Sequence, residues 1–183
     1  KRAGRELMVR DGVPFFTPVY ERTPVRAEGP CPAEQERRLL GRNVRGQHAE
    51  QFPAVLEEVI CEERGPVFTT LRLRGSMVGS VHCDVVLKLY EELPRIDLRV
   101  ELGKTLSTDI ESVYVPVTLD LPGHELWLRK GGREAMRPGV DQLPGGGMEY
   151  SMGDDGLAWL GEGGGVLLAS HDVPLVYFGE LTH

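Results

Sequence analysis

Apolar and polar residues alternate along the middle of this chain, and that alternation predicts strands. Successive side chains of a strand point to opposite faces, so alternation marks an element with one buried and one wet face. Between Gly65 and Gly123 the runs are Val67–Arg74, Val81–Leu93, Arg95–Leu102 and Ser112–Leu121, with turn residues between them. In the second run Val81, Cys83, Val85, Leu87 and Leu89 share a face. In the third, Ile96, Leu98, Val100 and Leu102 oppose Arg95, Asp97, Arg99 and Glu101, and in the fourth Val113, Val115, Val117 and Leu119 align. An earlier run, Ala54–Cys61, sets Val55, Glu57 and Val59 against Leu56, Glu58 and Ile60. Such runs side by side describe a large antiparallel sheet.

The flanks are less regular. Glu6–Val19 reads as a short strand, a turn at Asp11-Gly12 and an extended stretch that Pro14 and Pro18 confine to an edge or loop. From about 21 to 52 the pattern dissolves into a long irregular excursion, with two helical turns at 33–40 (AEQERRLL). After Pro122-Gly123 come His124–Arg129, a glycine-rich loop from Gly131 to Gly147, the pair Gly156–Leu160 and Gly165–Ser170, and a last strand, Pro174–Gly179. Strands joined by turns at roughly ten-residue spacing, without a long helix or an internal repeat, predict an all-β sandwich or barrel. The whole chain, 1–183, is expected to form one domain.

Composition narrows the partners. A net charge of -7 argues against nucleic acid, whose binders carry a basic face. No apolar run approaches the length of a membrane span. Cys31, Cys61 and Cys83 form neither an even disulfide framework nor a CxxC metal pair, which suits a reducing compartment, the cytoplasm. The chain starts at Lys1 and ends at His183 straight after an apolar segment, so it is expected to be a piece of a longer protein.

The segment GPVFTTLRLRG…VVLKLYEELPRIDLRVEL resembles the large β domain that follows the catalytic barrel in glycoside hydrolase family 38, the α-mannosidases. The matching phrases are Leu89-Tyr90 with Pro94-Arg95-Ile96-Asp97, then Glu111 with Tyr114-Val115-Pro116. Gly4, Glu6, Leu7 and Val9 resemble the start of that domain, while Asp141–Gly145, Gly164–Val166 and Asp172–Val176 are similar to its later phrases. The family's FPF phrase is replaced here by VPVTLD (115–120), which marks a divergent branch. The resemblance implies a large antiparallel supersandwich like that of galactose mutarotases. It also implies that the catalytic aspartates and a divalent metal, zinc, belong to an upstream barrel. This piece would then be non-catalytic and cofactor-free, with that barrel as its partner.

Individual residues leave other readings open. Glycoside hydrolysis needs two carboxyl groups about 5–9.5 Å apart across the bond. Asp97 and Glu101, however, alternate with basic residues on a wet strand face, where cross-strand pairing accounts for them. A mutarotase needs an acid and a base at one sugar, but His48, His82, His124, His171 and His183 are scattered. The glycine-rich run lacks the Gly-Lys-Ser/Thr ending of a phosphate loop. Arg137, Asp141 and Gln142 carry planar groups that suit sugar hydroxyls, and Tyr150 has a ring that suits a sugar face; these are the carbohydrate-contact candidates. The plainer alternative has Arg137 and Asp141 pairing to hold their loop, with Trp127 and Trp159 in the core. Two rival functions remain, a stand-alone carbohydrate-binding or mutarotase-like protein and a scaffold that joins protomers as a homo-oligomer.

Overall fold

The computed structural model describes residues 15–23, 49–130, 134–144, 150–153 and 156–178. The expected opening strand and the helical turns at 33–40 lie outside them. Among the described residues every regular element is a β-strand and every pairing is antiparallel. The protein is all-β. No helix among these residues is long and apolar enough to cross a membrane. The chain divides into two units, Lys1–Asp120 and Leu121–His183.

Among the described residues the first unit contains β1 (Val19–Thr23), β2 (Glu50–Pro53), β3 (Val55–Arg64), β4 (Phe68–Ser76), β5 (Ser80–Tyr90), β6 (Ile96–Lys104) and β7 (Ile110–Tyr114). Strands β3 to β6 form a four-stranded meander in chain order, and β2-β1-β7 form a second sheet. In the meander Leu71, Leu87 and Leu98 stand side by side, as do Leu73, Val85 and Val100. The opposite face carries Arg74, Asp84 and Glu101 in the same way. Alternation in the sequence becomes an apolar face and a charged face.

Two β-bulges correct the expected faces. Ser80 pairs with Lys104 and Cys83 with Leu102, so Val81 and His82 together oppose Gly103. The extra residue breaks the phase, and Val81 is 76% exposed while Cys83 is fully buried. Gly103 permits this crowding, since a Cβ there would stand 2.4 Å from Val81 and 2.5 Å from the His82 ring. In β3 the register shifts between Leu56 and Glu58, and Val55 pairs with Ser76 while Val59 pairs with Leu73. Val55 and Val59 therefore face opposite ways, and Leu56 joins the apolar side. Strand β7 stops at Tyr114, short of the expected Leu121, because Pro116 has no N–H to continue a ladder.

The excursion expected from 21 to 52 is strand at both ends. Val19 to Arg22 pair with Pro53 to Glu50, and β1 also pairs along β7. Polar Glu21, Arg22, Glu50 and Gln51 hide any apolar period there, and the ladder is set by the partner strand. Tyr20 from β1, Ala54, Met77 and Cys83 form a buried cluster joined by Phe52, Leu102 and Val113, which packs the two sheets of this unit together.

The Tyr20 ring lies over Gly79, whose φ is +78°. A Cβ there would meet the ring at 2.6 Å. Left-handed strain and overpacking add, so Gly79→Ala should lower stability by about 2–4 kcal/mol. Urea denaturation checks this, and a midpoint equal to that of the parent chain would show that Tyr20 does not close on this turn.

The second unit contains β8 (Glu125–Arg129), β9 (Ala135–Met136), β10 (Tyr150–Met152), β11 (Leu157–Gly161), β12 (Gly164–Leu168) and β13 (Leu175–Tyr177). One sheet runs β12-β11-β8-β9, and β10 pairs with β13. Leu128 and Leu157 pair across β8 and β11 and are buried, which defines the inner face of the four-stranded sheet. Strand β9 lies inside the glycine-rich run that reads as loop in the sequence, because two residues are too short to show a period.

Candidate functional site

The phrase that carries the family resemblance, Tyr90 through Asp97, closes into one interaction. Tyr90 donates its hydroxyl to Asp97 Oδ2 at 2.8 Å, and Arg95 Nε donates to Oδ1 at 2.6 Å. The Arg95 guanidinium also stands 5.4 Å from the centre of the Tyr90 ring. Arg95 first, then Tyr90, hold the Asp97 carboxyl below the usual carboxylate range, while the bond to Asp97 pushes the Tyr90 phenol up. An ionised carboxylate with both oxygens engaged is a staple across the β5–β6 turn.

Glu101 is occupied in the same way. Arg72 reaches Glu101 at 2.6 Å, Asp84 at 2.9 Å and Glu62 at 2.5 Å, and Arg99 also pairs with Glu101 at 2.7 Å. The bond from Arg72 is the main reason the Glu101 carboxyl sits below its ordinary range. Cross-strand charge alternation thus places the acids of this face in ion pairs.

The acid-and-tyrosine strand, β7, splits its two polar residues between faces because Glu111 and Tyr114 are three positions apart. On one face Glu111 accepts from the Tyr20 hydroxyl and from Lys104 Nζ, the latter at 2.7 Å. Lys104 first, then Tyr20, lower the Glu111 carboxyl below its usual range. On the other face Tyr114 donates to Glu21 Oε1 at 3.3 Å and Gln51 Nε2 donates to Oε2 at 2.8 Å. Glu21 is 7% exposed. Two carboxylates on opposite faces of one sheet cannot flank a single glycosidic bond.

Three of the four carbohydrate-contact candidates come together in one loop. Arg137 grips Asp141 through Nε (3.2 Å) and Nη2 (3.0 Å), and its backbone N–H donates to Oδ2 at 2.7 Å. Gln142 Oε1 accepts from the Gly139 N–H at 2.7 Å. The Arg137–Asp141 pair therefore holds the loop, as the plainer alternative expects. Tyr150 stands on β10, in the other sheet, with its ring 4.9 Å from that of Tyr177.

The sequence places both tryptophans in the core, and here the structure differs. Trp159 shares the inner-face parity of Leu157, whereas Trp127 precedes buried Leu128 and points outward, half-buried. The Arg137 guanidinium lies 5.4 Å from the Trp127 ring centre, and its Nη1 is 3.8 Å from Glu125. Parity relative to Leu128 was the available signal, but it needs the inner face to be known.

The described histidines do not converge. His82 is exposed beside the bulge, His124 lies near Pro122 O at 3.3 Å, and His171 is exposed in a turn. His48 and His183 lie outside the described residues. Among the described residues no group of three or more His, Cys, Asp or Glu side chains is placed to hold a metal ion. No family model, curated protein or solved structure matches the chain.

Proposed function

We propose that this chain is the non-catalytic β domain of an α-mannosidase-like glycoside hydrolase. It packs on an upstream catalytic barrel and lends the Arg137–Gln142 loop to the sugar site. The observation that supports this reading is the ordered set of family-like phrases, from the LYEELPRID segment to the acid-and-tyrosine strand. Their polar residues serve the fold: Asp97 staples a turn, and Glu111 ties β7 to Tyr20 of β1 and Lys104 of β6. Carboxylates engaged in that way suit a domain that supports chemistry elsewhere. The zinc that such an enzyme uses would belong to the barrel, and the unpaired thiols Cys61 and Cys83 suit a cytoplasmic setting.

The test is hydrolysis of a chromogenic α-mannoside with added divalent metal, run on this chain and on its intact parent. Turnover by the parent alone is expected. Turnover by this chain would sink the reading and return attention to its own acids and histidines. Silence from both would remove the mannosidase assignment.

A further inference from the structure

The two edges of the first unit's meander differ in kind. Among the described residues β6 pairs with β5 alone, so one row of its N–H and C=O groups faces away from the sheet. The other edge, β3, is protected. Glu57 and Glu62 are the extra residues at its two bulges, and Glu58 and Glu63 add like charge. Bulges and like charges keep an edge strand from recruiting another. Strand β6 has neither device. The register shift beside it inserts its extra residue into β5, and Ile96–Lys104 runs without a proline.

The sequence of β6 is also complementary to itself. A two-fold axis pairs residue i of one copy with residue j of the other, and j with i. Centred on Val100, antiparallel pairing engages the whole strand from Ile96 to Lys104. Leu98 then meets Leu102, Val100 meets itself, Asp97 meets Gly103, and Arg99 meets Glu101 at two symmetric places. Opposed side chains share a face, so the apolar face continues across the contact. The Arg99 side chain is 66% exposed and already reaches Glu101 of its own strand at 2.7 Å. Two copies therefore close a ring of four alternating charges. A centre at Arg99 sets arginine against arginine and Asp97 against Glu101, and like charges directly opposite repel. A centre at Leu98 engages only Ile96 to Val100 of the strand. Charge and length select the register at Val100.

We propose that a second copy of this chain adds to β6 in that register, joining the two meanders into one continuous antiparallel sheet. Main-chain bonds supply the affinity of such a contact, and the side-chain register supplies its specificity. The contact does not depend on the mannosidase reading. One strand pair is a small interface, so the expected dissociation constant is about 10–100 µM.

Sedimentation equilibrium of the full chain should show monomer and dimer exchanging in that range. Arg99→Glu sets acid against acid at both symmetric places and should weaken the dimer about tenfold or more, while Arg99→Lys should stay within about threefold of the parent chain. Circular dichroism checks that the variants keep the fold, and Arg99→Ala replaces Arg99→Glu if that variant does not. Register is read independently by cross-linking in a chain carrying Cys31→Ser and Cys61→Ser. There Val100→Cys should form a disulfide dimer on diamide oxidation, since opposed Cα atoms stand about 4.5–5.5 Å apart. Arg99→Cys should cross-link more slowly, because position 99 faces 101. A monomer up to about 500 µM overturns the proposal. A dimer that the charge reversal leaves intact, or equal cross-linking at 99 and 100, overturns it as well, because either result moves the association to another surface or register.

Discussion

Tyr20→Ala should be among the costliest substitutions in the first unit, with an expected loss of about 3–5 kcal/mol in urea or thermal unfolding. The side chain is 2% exposed and stands in the cluster that joins the two sheets. Its ring covers Gly79 and carries Lys104 Nζ at 5.1 Å from its centre. Its hydroxyl donates to Glu111. Truncation removes packing, a hydrogen bond and a cation contact together. Tyr20→Phe separates them by keeping the ring and deleting the donor, and its expected cost is about 1–3 kcal/mol, the range for a hydrogen bond to a charged group. If phenylalanine costs as much as alanine, the cluster is held by the polar contact and the packing account fails.

The same tyrosine predicts an alkaline limit. Burial and the bond to Glu111 push its phenol from the ordinary 10.0 up to about 12. The folded state therefore favours the neutral form. That contribution is fully present below pH 10 and is lost as pH rises through about 12. Glu111 acts in the opposite direction, since its carboxyl is held below 4.5. Its contribution is present above that pH and is lost as pH falls through the lowered value. Absorbance titration of the phenols in Tyr20→Phe should lack a group that is expected to titrate near pH 12 in the unsubstituted chain.

How much of this was legible in the sequence depended on whether an element carries its own period. Ile96 to Leu102 alternates cleanly and forms β6, whereas Glu125 to Arg129 forms β8 with three apolar residues in a row, which leaves its inner face unmarked. Strands β1 and β2 overlap the stretch from 21 to 52 that reads as an irregular excursion, because Glu21, Arg22, Glu50 and Gln51 are polar and the partner strand decides. The bulge at Val81 was hidden too, since one extra residue inside an alternating run leaves the pattern intact while reversing its exposed side. At the candidate site, the opposite charges of Arg137 and Asp141 suggest their pairing, and the turn in which the Val140 and Asp141 N–H groups donate to Arg137 O brings them together. The approach of Arg137 to Trp127 and Glu125 depends on β9 pairing with β8, a contact of two residues that leaves no periodic trace.

Leu128→Ala is the largest effect expected in the second unit, at about 2–5 kcal/mol. Leu128 is fully buried, opposite Leu157 on one side and Met136 on the other, so truncation leaves a cavity walled by rigid strands. Leu160→Ala, on the outer face and 51% exposed, should change stability by only about 0.5 kcal/mol. The contrast between two leucines of one sheet is what matters, because it reports which face is inner without reference to any ligand. Comparable losses at both positions would mean that the outer strip is covered by packing. A large loss at 128 beside a small one at 160 places the inner face of the sheet on the side of Leu128 and Leu157, the side on which the register aligns them.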